Sequence, residues 1–189
     1  MRFLSIFLFC VFFSNLKAQS NQNKNIINRK GFTIGLGLGA GMLSLKVADT
    51  NQTAFSTTLP NIKIGAMINK HFALLVMLPG ANYKYYNKDR GFEAFTISGQ
   101  YWAKERLWIL AGMGLTFDAP AFYTVKDPKT AEFYTGFPAI TAATGYEIWQ
   151  GKNFALDVQY RFFVGQSNLS NSQKRQGMSN MFILGINWY

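Results

Sequence analysis

From Phe32 to Met42 every second residue is apolar: Phe32, Ile34, Leu36, Leu38, Ala40 and Met42 share one parity, and Gly35, Gly37, Gly39 and Gly41 stand on the other. A period of two places alternate side chains on opposite faces of an extended strand, whereas a helix repeats every 3.6 residues. The stretch also contains Gly35-Leu36-Gly37-Leu38-Gly39-Ala40, which satisfies the dinucleotide pattern G-x-G-x-x-A. That pattern has meaning only at a strand-turn-helix junction, with an acidic residue about 20 positions on for the ribose. No helical period follows, and after Asp49 the next acidic residue is Asp89. The glycines therefore belong to a strand that is apolar on one face and bare on the other.

The alternation recurs in three units that each carry a short polar turn: INKHFALLV (68–76), AKERLWIL (103–110) and QGKNFALDV (150–158). Taking Asn69-Lys70-His71, Lys104-Glu105-Arg106 and Gly151-Lys152-Asn153 as turns pairs the flanking strands and fixes their faces. Ile62, Ile64, Ala66 and Ile68 then share a face with Phe72, Leu74, Val76 and Leu78. Phe95, Ile97 and Tyr101 join Ile109, Met113 and Leu115, while Ile140 and Tyr146 join Leu156, Val158 and Tyr160. With the opening strand and a last one from Met178 to Tyr189, the spacing predicts eight strands, each roughly 10 to 14 residues long. Longer polar connections fall at about 46–58, 84–91, 118–135 and 165–177, so short turns alternate with long loops. An all-β, eight-stranded antiparallel up-and-down barrel has this organisation.

Residues 1–18 read as a cleavable signal peptide, with Arg2, an apolar run from Phe3 to Phe13 and a small-residue exit at Ala18. The run is shorter than the roughly 20 apolar residues of a membrane-spanning helix. Cleavage would leave 189 − 18 = 171 residues, divided into a short N-terminal segment at 19–30 and one barrel domain at 31–189. The single cysteine, Cys10, lies in the signal, so the exported chain would have no thiol for a disulfide or a metal. Net charge is +10, yet the cations are scattered through turns and loops without a basic stripe interleaved with aromatics. That distribution argues against nucleic acid and suits loops lying near anionic lipid phosphates.

A soluble barrel turns its apolar face inward, and a membrane barrel turns it outward to hydrocarbon. Charged residues avoid the apolar parity through the middle of the strands, where a lysine or arginine facing lipid would cost roughly 2 to 4 kcal/mol. The opposite parity carries Lys63, Trp102, Trp108, Glu147, Asp157, Arg161 and Phe163. An eight-stranded bore is only just wide enough for side chains, so the bare strand makes room for these larger groups. Aromatic residues recur toward strand ends (Tyr83, Tyr85, Tyr101, Phe117, Trp188), as interface girdles do.

The signal sequence, the repeated turn-strand units and the ending FILGINWY resemble the small eight-stranded outer-membrane barrels of the OmpX and OmpA-barrel type. More closely, they resemble the PorT-like outer membrane β-barrel proteins, over essentially the whole mature chain. The resemblance implies residence in the outer membrane of a Gram-negative bacterium after export, contact with outer-membrane lipid, and insertion by the barrel assembly machinery. In such families the last strand ends in alternating hydrophobics and a terminal aromatic. Phe182, Leu184, Ile186 and Trp188 supply the alternation here, while Tyr189 falls on the other parity.

Enzymes built on barrels of this size need a base beside a nucleophilic serine at the outer rim. The only histidine, His71, lies in a short turn at the opposite end, so neither catalytic, cofactor nor metal residues are expected. The sharpest constellation is an inward charge network of Lys63, Glu147, Asp157 and Arg161, read as structural filling of the bore. Phe122, Tyr123, Phe133 and Tyr134, in the connection from Asp118 to Thr135, are the expected loop contact; packing over the barrel mouth is their alternative. The sequence thus points to a non-enzymatic integral outer-membrane protein serving the envelope structurally or making surface contact through its loops. The alternatives are an accessory of protein secretion or a narrow solute pore, and, further off, an exported soluble lipid-binding barrel.

Overall fold

Asn69 bends its side chain back so that its Oδ1 accepts from the His71 amide at 2.8 Å. This closes the first short turn and sends the chain back antiparallel. The other two short turns close through Lys104 N donating to Leu107 O at 3.2 Å and Gly151 N donating to Phe154 O at 2.8 Å. All three lie where the sequence predicts them. In this computed structural model, which describes residues 27–58, 61–121 and 131–189, the signal-peptide region 1–18 lies outside the described residues.

Among the described residues ten strands follow in chain order: β1 (Gly31–Val47), β2 (Thr50–Thr57), β3 (Asn61–Asn69), β4 (Phe72–Met77), β5 (Gly80–Tyr85), β6 (Lys88–Trp102), β7 (Leu107–Pro120), β8 (Tyr134–Gln150), β9 (Phe154–Asn168) and β10 (Lys174–Trp188). They form one antiparallel sheet whose last strand pairs with its first, Ile34 opposite Trp188 and Val47 opposite Arg175, so the sheet closes into a barrel. The expected eight positions survive because two of them are divided. β2 and β3 share one edge of β1, at Ala40–Val47 and Gly31–Gly37 respectively. Likewise β4 and β5 share one edge of β6.

The sequence reading needs correction at the other end. Of the four connections expected to be long, three are tight: residues 48–49, the turn at Tyr86 and Asn87, and 169–173. Tyr86 and Asn87 have φ of 47° and 60°, the backbone of a two-residue hairpin turn that follows strand twist. The strands simply run on, β6, β9 and β10 to 15 residues and β8 to 17, where 9 to 11 tilted residues cross a bilayer. The outer stretches of β9 and β10 are polar on both faces, so apolar alternation stops before the ladder does. Only the connection between β7 and β8 stays long.

The apolar parity faces out. Phe32, Leu38, Ile97, Phe182 and Leu184 are each more than 60% exposed, and Leu74, Ile109 and Val158 join them on the outer surface. A soluble lipid-binding barrel would require these faces to enclose a cavity, the reverse of what is observed. The bore is less hydrophilic than its sequence parity suggests. It holds two apolar clusters, one around Leu43, Phe92, Phe163 and Ile183, the other around Leu75, Met77, Trp102 and Trp108, with the charged groups set against them.

Candidate functional site

Gly35 explains how a lysine fits inside so narrow a tube. A Cβ at this position would stand 2.5 Å from Lys63 Cε and 2.7 Å from Asn187 Oδ1, so the missing side chain is the space the lysine stem occupies. At Gly39 the reason differs: a Cβ there would meet the Phe182 carbonyl oxygen at 2.1 Å, and glycine permits a close approach of β1 to β10.

The four charges expected to form one inward network form two. Lys63, Asp157 and Arg161 lie together in the bore, all buried. Lys63 Nζ donates to Gln100 Oε1 at 2.9 Å and sits 4.7 Å from the centre of the Trp108 ring. Asp157 accepts from Trp108 Nε1 at 3.1 Å, Gln159 Nε2 at 2.7 Å and Asn187 Nδ2 at 2.9 Å. Arg161 donates to Gln159 Oε1 at 2.8 Å and to Asn61 Oδ1. The cations therefore reach the carboxylate through amides and an indole, not by direct contact. Charges taken out of water need this many partners, because each unmet one costs several kcal/mol, on the order of the ion's desolvation.

Glu147 lies opposite Asp157 in the ladder of β8 and β9, yet its hydrogen bonds go to a separate set of partners toward the short-turn end. Arg29 Nη2 donates to its Oε2 at 2.5 Å, joined by Gln150 Nε2 at 2.7 Å, while Trp102 Nε1 at 2.8 Å and the Tyr189 hydroxyl at 3.0 Å donate to Oε1. The guanidinium also lies 4.9 Å from the centre of the Trp102 ring and 5.6 Å from that of Tyr189. The stretch 27–30, the end of the short N-terminal segment expected at 19–30, thus caps one end of the bore. The odd parity of the terminal tyrosine has the same explanation: Tyr189 turns inward to close the cap, while Trp188 stays on the outer face. No pattern marked Arg29 in the sequence, since it precedes the first alternating strand.

A third charged cluster, absent from the sequence reading, closes the opposite end. Asp118 Oδ1 accepts from Arg90 Nε at 2.9 Å and from the Tyr83 hydroxyl at 2.8 Å, and its Oδ2 accepts from Arg175. Arg175 also donates to the Tyr83 hydroxyl at 2.6 Å, and Arg90 Nη2 to the Glu132 carbonyl at 2.8 Å. These residues read as loop charges only because apolar alternation had ended. Continuing the parity count would have found them: Arg90 shares parity with Phe92 and Ala94, and Arg175 with Ser179 and Met181.

Of the four loop aromatics, Phe122 and Tyr123 lie outside the described residues. Phe133 and Tyr134 part company. Phe133 is 61% exposed and stacks on Phe117 of the outer wall, with ring centres 5.9 Å apart and planes at 11°. Tyr134 turns toward the mouth, 5.4 Å from the Arg90 guanidinium. Among the described residues no three His, Cys, Asp or Glu side chains gather where they could hold a metal ion, and His71 sits in its short turn.

No protein-family model matches this sequence, and no curated protein does. Solved structures do match. The chain is similar to Ail, the attachment invasion locus protein of Yersinia pestis, with 13% identity and a TM-score of 0.52 over 84% of this chain and 99% of that one. It is similar also to Neisserial surface protein A, with 20% identity and a TM-score of 0.57 over 84% of this chain and 96% of that one. At such identities the likeness concerns the fold, and the fold is that of a small outer-membrane β-barrel.

Proposed function

We propose that this protein is a non-enzymatic integral outer-membrane protein of a Gram-negative bacterium, a rigid, plugged barrel that presents its long-loop end at the cell surface. The observation that carries the reading is the pairing of an apolar exterior with a bore filled by interlocked charged and aromatic side chains. Leu38 and Leu184 lie outside while Trp108, Asp157 and Arg161 lie within. The exterior suits hydrocarbon, and an interior filled in this way suits a barrel that does not conduct. By this reading the short turns face the periplasm and the connection 121–133, with exposed Phe133, is the contact element. Ail and Neisserial surface protein A are, by their names, an attachment protein and a surface protein, in keeping with such a role.

Two measurements test it together. The detergent-extracted protein should migrate differently in gels before and after boiling, as closed barrels do, and in planar bilayers it should give no steady single-channel current. A well-resolved conductance would replace this reading with the narrow pore, and co-purification of a secretion complex would replace it with the accessory role of the PorT-like resemblance. Excision of residues 122–130 should abolish attachment to surfaces while leaving the gel shift intact.

A further inference from the structure

Between β2 and β5 the barrel wall is not sewn. Where β3 and β4 are paired, Leu78 N still donates to Ile62 O at 2.9 Å. Beyond that bond β2 pairs with β1 and β5 with β6, and among the described residues each keeps its other edge without a strand partner. Among the described residues, a hydrogen bond from Ser56 Oγ to the Asn82 carbonyl bridges the gap. The sequence accounts for the break. Pro79 stands between β4 and β5, and proline brings no N–H to a ladder.

A cavity of about 370 Å³ occupies the gap, and its lining comes from both faces of the wall. Leu43 and Leu45 face the bore, and so do Ala54 and Gln52, which oppose them in the register of β1 and β2. Phe55 and Lys84 belong to the outward parity and line the same cavity. A cavity confined to the bore would be lined by one parity alone, so this one passes through the wall.

We propose that this seam is a lateral site for one acyl chain of a surrounding bilayer lipid, which enters between β2 and β5 and lies against Leu43, Leu45 and Ala54. The proposal rests on the membrane reading above. Three features select this occupant. The inner end of the cavity is apolar, since Leu43 and Leu45 belong to the bore cluster with Phe92 and Ile183, and a hydrocarbon chain needs no hydrogen-bond partner there. The outer end opens beside Phe55, 71% exposed, and is therefore continuous with the face that meets lipid. At the rim stands Lys84, its side chain 67% exposed and 2.8 Å from Asp89, a cation at the level of a lipid phosphate. Polar side chains on β2, among them Asn51 and Thr53, put the free strand edges at headgroup depth, where water satisfies backbone groups that hydrocarbon would not.

The test uses the full barrel in vesicles of phosphatidylethanolamine and phosphatidylglycerol, with a benzophenone amino acid replacing Ala54, Gln52 or Ile97 in turn. Ala54 and Gln52 are exposed yet face the bore, and Ile97 is on the outer surface. Each variant is checked first for heat-dependent gel migration, and intact mass is measured after irradiation. The expected result is a mass increase of one phospholipid at all three positions, with fragmentation placing the link from Ala54 on the acyl chain. Lipid at Ile97 but at neither bore-facing position overturns the seam and leaves the membrane reading standing. A link from Ala54 confined to the headgroup overturns the acyl-chain site. Failure at all three positions in a folded barrel overturns the membrane reading and the seam with it.

Discussion

Arg29 Nη2 meets Glu147 Oε2 at 2.5 Å across the short-turn end of the bore, with both side chains buried and the two residues 118 positions apart in sequence. The pair ties a segment before the first strand to the eighth. Removing one member of a buried ion pair leaves the other charge uncompensated, at a cost of about 3–5 kcal/mol. Arg29→Met should therefore lower the temperature at which the compact gel band is lost. Glu147→Gln in the Arg29→Met background should recover much of the loss, because the amide oxygen can still accept from Trp102 and Tyr189, and Gln150 can turn its own oxygen to the new NH2 group. Equal instability of the single and double variants would mean that packing of Arg29 between Trp102 and Tyr189, not charge compensation, is what it contributes.

Arg161 is placed differently, since among the described residues no carboxylate pairs with it and its side chain donates to Asn61 and Gln159. Arg161→Ala leaves two buried amides short of a donor and takes away the nearest guanidinium from Asp157. Each stranded polar group costs about 1–3 kcal/mol. The variant should unfold at lower urea concentration from lipid vesicles, and the space vacated in the bore should admit a small conductance in planar bilayers. Unchanged urea midpoint together with unchanged current would remove this network from the account of why the barrel is closed.

The sequence carried the barrel because period-two alternation survives wherever one face meets something apolar and the other does not. Ile64 and Lys63, or Val158 and Asp157, differ enough to set a face without any tertiary information. Two things were hidden. The outer reaches of β6, β9 and β10 carry polar residues at both parities, so residues such as Arg90 and Arg175 read as loop although the backbone ladder continues through them. The partners of a charge depend on register around the whole ring: nothing local says that Glu147 answers to Arg29 while Asp157 answers to Trp108 and Asn187. The division of two strand positions left no break in the period-two pattern that could be read locally, because it depends on which strands neighbour one another around the ring.

Ile97 lies on the outer wall of β6, 63% exposed and flanked across the ladder by Val76 and Met113. If that wall meets hydrocarbon, Ile97→Lys should cost about 2–4 kcal/mol in bilayers. Tyr86→Lys, at the exposed tip of the β5–β6 hairpin, should cost almost nothing. The comparison is made by equilibrium unfolding from vesicles, and equal effects at the two positions would place the apolar band outside the membrane. Repeating Ile97→Lys in a bilayer of longer acyl chains should enlarge its cost, since the lysine then has further to reach water.

Glu132 ties the one long connection to the neighbouring hairpin. The Tyr134 hydroxyl donates to its Oε2, and Ser170 Oγ donates to the same oxygen at 2.9 Å. These hydrogen bonds, that from Tyr134 first, hold the Glu132 carboxyl below its ordinary range. A folded-state value below the unfolded one means that the contact is fully present above the ordinary carboxylate value, about 4.3, and is lost as pH falls through the lower folded value. A nitroxide at Ala131 should accordingly report an immobile loop at about pH 7 and a freer one only in stronger acid than a free glutamate needs for protonation. With Glu132→Ala the loop should be equally mobile at every pH. Loosening of the unsubstituted loop already above the ordinary carboxylate value would show that some other group holds it, and the exposed Phe133 would then be presented by packing on Phe117 alone.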